Sequence, residues 1–255
     1  MKINFIWVGL GLGVLMAVAL ALFAEDLLDG PSEPVGPKAI AEARQWFDKG
    51  EAIFDGSRWS DPEKAVAHYS QAIQVNPNFA KAYVQRGRIY FGHLNEAGKG
   101  EADIVKALRL DENLAEAHYA KGNIDFYYSE DMESAVESYD RSIELKPDYY
   151  RAYINRSIAL SRIGKDSQAI SGLNQAIQIE PKNPLGFNTR GWAYFRMEKN
   201  GRALADFNES IRLGSKLPET FNFRGKVHQK MKQEARAKAD FSKACEMGLE
   251  AACGQ

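Results

Sequence analysis

Two cysteines, four histidines and many closely spaced carboxylates are the side chains from which this chain of 255 residues could build reactive chemistry. His68, His93, His118 and His228 stand far apart, and no two share the four-residue helical spacing that brings imidazoles to one zinc ion. The Gly-x-Gly runs at Gly9, Gly11 and Gly13 lie inside an apolar stretch, not in a phosphate-cradling loop, and no G-x-S-x-G turn is present. The paired carboxylates fall on polar helix faces, where solvation is the default. The sequence therefore points to no catalytic residue, no metal ligand and no cofactor. With a formal net charge of -1, the chain also lacks the basic footprint of a nucleic-acid binder. What remains is recognition chemistry, carried by amide, guanidinium and aromatic groups, and the question is which elements place them.

The phrase "YVQRGRIYF" (Tyr83–Phe91) returns as "YINRSIALS", "FNTRGWAYF" and "FNFRGKVHQ". Its small residue falls at Gly50, Gly87, Gly122, Ser157, Gly191 and Gly225, at intervals of 37, 35, 35, 34 and 34. A ring stands four residues earlier each time, at Trp46, Tyr83, His118, Tyr153, Phe187 and Phe221. Further on, an alanine is followed four residues later by a bulky residue: Ala65 and Tyr69, Ala135 and Tyr139, Ala169 and Leu173, Ala203 and Phe207, Ala237 and Phe241. Pro77, Pro147 and Pro181 close three units. Glycine inside a helix costs about 1 kcal/mol relative to alanine, so its recurrence asks for a close contact in return.

Period and spaced residue types together resemble the tetratricopeptide repeat family, over about Ala41 to Gly248. The resemblance implies an all-α, right-handed α-solenoid of about six helix-turn-helix units, near 43–79, 80–114, 115–149, 150–183, 184–217 and 218–255, whose first helices line a concave face. Departures mark irregular bends. The first unit carries three extra residues in "FDGSRWSD", the second has Gly100 and Ile104 plus one extra residue, and the fifth has "GSK" in place of the closing proline. Arg86, Arg190 and Arg224 stand where the family has leucine, and Asp103, Asp206 and Asp240 follow 16 or 17 residues later. Three structural pairs are expected: Arg86 with Asp103, Arg190 with Asp206, and Arg224 with Asp240. Ser138 and Gly172 occupy the partner position in the third and fourth units, which leaves Lys121 and Arg156 without this mate.

The inward positions implied by the family give a candidate partner-binding groove of Arg88, Asn123, Phe126, Asn155, Arg162, Asn188, Trp192, Phe195, Asn222 and Lys226, with Arg196 and Lys230 beside them. The amides at Asn155, Asn188 and Asn222 come from three consecutive units and suit a peptide backbone, which both donates and accepts. Phe126, Trp192 and Phe195 offer apolar anchors, and the cations favour acidic ligand groups. Chaperone-binding members of the family carry a lysine and asparagine carboxylate clamp; Phe47, Glu51 and Val84 occupy its positions here, so that mode is not implied.

Ile3–Ala24 is uncharged and apolar but for Asn4, follows Lys2, and precedes Glu25, Asp26 and Asp29. About 20 such residues cross a bilayer core. Residues 1–24 are thus expected to be a transmembrane anchor or a cleaved signal peptide, with the rest exported, either at the inner membrane facing the periplasm or free in the periplasm or medium. No cysteine near this stretch would carry a lipid anchor. Residues 25–40, rich in proline and glycine, read as a linker. Cys245 and Cys253 are the only cysteines, an even count that suits an exported chain with a disulfide. Along one helix they would lie about 12 Å apart, but Gly248 can turn the chain back and bring them within bridging range. Two free thiols are the alternative. The expected role is a non-catalytic scaffold for a protein or peptide partner; a self-associating structural solenoid is the other reading, and an enzyme would need a site that these patterns do not offer.

Overall fold

A computed structural model describes residues 35–56 and 58–255. The expected anchor or signal peptide, 1–24, lies outside the described residues. Among the latter, no helix is long and apolar enough to cross a membrane. Twelve α-helices follow one another as six antiparallel hairpins: α1 (Pro37–Glu51) and α2 (Pro62–Val75); α3 (Ala80–Gly92) and α4 (Ala97–Leu110); α5 (Ala115–Tyr127) and α6 (Met132–Leu145); α7 (Tyr150–Arg162) and α8 (Asp166–Ile179); α9 (Pro184–Arg196) and α10 (Asn200–Arg212); α11 (Pro218–Lys230) and α12 (Glu234–Glu246). Helix α1 starts inside the expected linker. Pro37 occupies its first turn, where a missing N–H goes unnoticed, so residues 37–40 are helical rather than linker.

The recurring small residue is a notch for the facing helix. A Cβ added at Gly122 would lie 2.6 Å from the Tyr139 ring; at Gly191 it would meet Phe207 at 2.9 Å, and at Gly225 Phe241 at 2.7 Å. Tyr69, Tyr139, Phe207 and Phe241, the bulky residues after each alanine, are fully buried. Burying such a side chain contributes about 1.5–3 kcal/mol, which offsets the glycine. The departing units compensate. In the fourth, the notch has moved to the second helix, where Gly172 would place a Cβ 2.8 Å from Ser157 Oγ. In the second, Gly87 and Gly100 face each other, each 2.9 Å from the other's carbonyl oxygen on the same test.

The turn inside each of the last five hairpins uses one left-handed residue. Asn95 (φ 54°), Glu130 (54°), Gly164 (77°), Glu198 (57°) and Lys232 (59°) recur at one repeat position. The following N–H then reaches back to the end of the first helix, as Lys199 N does to Tyr194 O at 2.9 Å. The fifth unit, lacking its proline, ends α10 with Gly214 at φ 83°.

The structure brings Arg86, Arg190 and Arg224 onto Asp103, Asp206 and Asp240. Each pair is bidentate, through Nε and Nη2, at 2.6–2.8 Å. The aspartates are buried. A further contact was not legible. The remaining Nη1 donates backwards, 16 residues up the chain, into the preceding hairpin: Arg86 to Ser70, Arg190 to Asn174 and Arg224 to Asn208. Each guanidinium thus ties two units. Arg156, whose second helix holds Gly172 in place of the aspartate, meets a carboxylate by this backward route, its Nε 2.5 Å from Asp140 Oδ1. Lys121 pairs with Asp125 on its own helix at 2.7 Å, and Ser138 Oγ donates to the same carboxylate at 3.0 Å. Lys121 and Arg156 thus have no second-helix aspartate, and each meets a carboxylate from another position, Asp125 on the same helix and Asp140 in the preceding hairpin.

At the C-terminus Cys245 and Cys253 form a disulfide, with Cα atoms 5.0 Å apart. Gly248 turns the chain at φ 96°, and a 3-10 turn (Glu250–Ala252) folds back with Ala252 buried.

Two stability outcomes follow. Gly122→Ala should destabilise by about 1–3 kcal/mol, because overpacking against the immobile Tyr139 ring outweighs the gain in helix propensity. Arg190→Ala should lower the unfolding free energy by about 3 kcal/mol, since it strands buried Asp206. Urea unfolding by circular dichroism checks both. An Arg190→Ala midpoint equal to wild type would refute the staple.

Candidate functional site

The first helices of successive units face one side, and their residues close around a cavity of about 500 Å³. Helix α3 supplies Arg88 and Phe91, α5 supplies Tyr119, Asn123 and Tyr127, α7 supplies Arg151, Ile154 and Asn155, and α9 supplies Leu185. Of the sequence-derived groove, Arg88, Asn123 and Asn155 meet here.

The two amides are held in place. Asn155 Nδ2 donates to Asn123 Oδ1 at 2.8 Å and to Tyr119 Oη at 3.1 Å, while Tyr139 Oη donates to the same Asn123 oxygen at 2.8 Å. Burial holds the Tyr139 phenol well above its ordinary range, so it remains a donor. Arg88 donates to Gln85 Oε1 at 2.6 Å, and Gln85 donates to Glu51 Oε1 at 2.8 Å. The Arg88 guanidinium lies 5.2 Å from the Trp59 ring centroid. Trp59 comes from the three-residue insertion, which sequence reading marked only as an irregular bend. Phe54 and Trp59 pair in an antiparallel bridge, their rings 4.6 Å apart, and this folds Trp59 into the cavity wall beside His93. The available signal was a tryptophan that shares its insertion with one other aromatic, Phe54.

The other candidates do not reach this cavity. Phe126 and Asn222 are buried, at 4% and 6% exposed. Phe126 is covered by Arg162, whose guanidinium carbon lies 4.6 Å from the ring, and it packs against Tyr127. Asn188, Trp192, Phe195 and Lys226 form a separate stretch further along. Trp192 and Phe195 pack near buried Phe207 and Val227; Arg196 lies over Trp192 at 5.2 Å and is tied to Asp166, and Lys226 lies over Phe223 at 5.4 Å. Asn188 Oδ1 and Asn222 Oδ1 are buried with no hydrogen-bond partner among the described residues. A smaller hollow of about 240 Å³ at the first units carries Arg44 and Lys81 but also Glu51 and Glu116. Phe47 and Val84 there are buried, and Glu51 accepts from Tyr69 as well as Gln85.

The geometry is that of a helical-hairpin solenoid whose first helices share one cavity-lined face. A family profile described as "TPR repeat" matches residues 61–93, and one described as "Tetratricopeptide repeat" matches residues 115–149. The chain carries tetratricopeptide repeats and folds as a solenoid of them. Among curated proteins it is similar to "Hsp70-Hsp90 organizing protein 3" of Arabidopsis thaliana, 32% identical over 119 residues, which is 43% of this chain and 20% of that protein's length. Among solved structures it resembles PilW, described as a widely conserved type IV pilus biogenesis factor, with a TM-score of 0.71 at 17% identity, covering 79% of this chain and 91% of that one. It also resembles YrrB, described as a TPR protein with an unusual peptide-binding site, with a TM-score of 0.57 at 18% identity, covering 71% and 93%. At those identities the likeness is one of fold.

The network separates scaffold from surface in a measurable way. Asn123→Ala should lower stability by about 2 kcal/mol, because it strands the Tyr139 hydroxyl and the Asn155 amide. Arg88→Ala removes one neutral-acceptor hydrogen bond at a half-exposed site and should change stability by less than about 1 kcal/mol. Thermal melts of the two variants decide it; equal losses would contradict the division.

Proposed function

We propose that this protein is a non-catalytic scaffold that holds a peptide or protein segment against its concave face. One observation carries the reading: four successive first helices line a single cavity whose amides, aromatic rings and arginine are positioned by their own hydrogen bonds. A surface fixed in that way loses little side-chain entropy on binding. Tetratricopeptide proteins are in general interaction scaffolds. The Arabidopsis relative's name as an organizing protein and the peptide-binding site of YrrB support extending that role to this chain.

We further propose that it works outside the cytoplasmic membrane of a bacterial envelope, tethered or delivered by Ile3–Ala24. Support comes from the charge asymmetry around that apolar stretch and from the paired cysteines, a combination suited to an oxidising compartment.

A photo-crosslinking residue placed at exposed Tyr127, inside the cavity, should capture a discrete partner in intact cells. The same residue at Val105, on a second helix, should not. Equal capture at both sites, or at neither, would contradict a concave binding face. A reporter that is active only outside the cytoplasm, fused after Gln255, should be active; a well-expressed but inactive fusion would refute the location.

A further inference from the structure

The cavity has a charge pattern that the repeat architecture does not require. Arg88 and Arg151 line it, and no aspartate or glutamate does. Two residues upstream, Arg86 is saturated by Asp103 and Ser70. Arg88 has only the neutral Gln85 amide and the Trp59 face. Arg151 is exposed near the start of α7. Among the described residues neither has a carboxylate in ion-pair contact. Both act on the partly buried Tyr149 hydroxyl: burial pushes its pKa up, Arg88 and more weakly Arg151 oppose that, and the Glu116 carboxylate, outside the cavity wall, adds to it. The two positive charges therefore face one cavity, and no carboxylate stands in its wall to pair with them.

Their separation sets a ruler. Arg88 belongs to α3 and Arg151 to α7, with α5 between them. Packed helices lie about 8–10 Å apart, so two steps are roughly 16–20 Å between backbones. Arg88 sits about seven residues further along its helix than Arg151, which adds an axial offset of about 10 Å. With each side chain turned about 6 Å towards the other along the row, on the order of 10–13 Å remain between the sites where anions would rest, or three to four residues of extended chain. The floor between them, from α5, is Tyr119, Asn123 and Tyr127, suited to an apolar side chain and a peptide group.

Resting on the scaffold reading above, we propose that the ligand is an internal acidic segment of a partner protein, with two carboxylate side chains three to four residues apart flanking an apolar residue. Arg88 takes one carboxylate and Arg151 the other, while Asn123 and Asn155 border the backbone between them. Guanidinium–carboxylate contacts are the stronger, geometry-specific kind of charged hydrogen bond. The absence of any wall carboxylate leaves the site repulsive to basic segments, which is specificity by exclusion.

Fluorescence anisotropy with the 255-residue chain tests this, using fluorescein-labelled ten-residue peptides. The probe has glutamates at positions 4 and 7, a phenylalanine between them, neutral residues elsewhere and both ends capped. Its Glu-to-Gln and Glu-to-Lys versions are the controls, and a Gln version with a free C-terminus tests a terminal carboxylate. The acidic probe should bind at least tenfold tighter than the Gln version, with the Lys version weaker still. Its affinity should fall as salt rises from about 50 to 500 mM. Arg88→Ala and Arg151→Ala should each weaken it about tenfold without shifting the melting temperature, and Arg162→Ala should leave it unchanged. Equal binding of the acidic and Gln probes overturns the proposal but leaves a neutral-peptide groove standing. Preference for the free C-terminus overturns the side-chain assignment. No binding by any probe also overturns it, while crosslinking at Tyr127 independently reports whether the concave face has a partner at all.

Discussion

A half-buried guanidinium shared between two hairpins is the interaction on which the arrangement of this solenoid depends. Arg190 grips Asp206 within its own unit and Asn174 in the unit before. Arg86 and Arg224 repeat the arrangement with other partners, and Arg156 keeps the backward half of it. The free energy of folding comes chiefly from elsewhere. Fully buried Tyr69, Tyr139, Phe207 and Phe241 each contribute about 1.5–3 kcal/mol of burial, whereas a buried ion pair roughly breaks even against an apolar substitute. The arginine contributes direction. An apolar contact tolerates sliding; a fork with three fixed acceptors on two helices does not. Leucine at the same position would pack without fixing how one unit sits on the next.

That constraint has a consequence for the inner face. With alternate residues of each first helix committed to the notch or to the staple, the rest have their directions set. Arg86 points into the repeat and Arg88 towards the concavity, so two like residues separated by one position have opposite roles. The amide pair of Asn123 and Asn155 continues this order across units, and Tyr139 reaches it from the second helix. The cavity is therefore assembled from parts fixed before any ligand arrives.

Much of this was legible in the sequence because a 34-residue period tests the same assignment several times over. Six small residues on a common ruler identify the hairpins, and a recurring offset of 16 or 17 identifies the carboxylate of each arginine. Three features were not legible. Period gives the face of a helix but not how deeply the next unit overlaps it, so Phe126 and Asn222 looked like surface and are buried. The backward contacts of the arginines vary in type, Ser70, Asp140, Asn174 and Asn208, so no single residue pattern announces them. Trp59 lies in an insertion, outside the ruler altogether, and reaches the cavity only because Phe54 and Trp59 close the loop on itself. Lys121, which has Ser138 where the second-helix aspartate would stand, pairs instead with Asp125 four residues along its own helix.

The central claim is that the arginines of the first helices fall into two classes, one locked within the repeats and one held ready on the concave face. Nitrogen–proton correlation spectra of the arginine side chains report this directly, because a buried, bidentate Nε–H exchanges slowly with water and an exposed one does not. The account predicts sharp, protected Nε–H signals from Arg86, Arg190 and Arg224 in the protein alone, unmoved by an acidic peptide. Signals from Arg88 and Arg151 should become protected only when that peptide is added. Protected Arg88 and Arg151 signals in the free protein, or loss of the Arg190 signal on peptide addition, would contradict it.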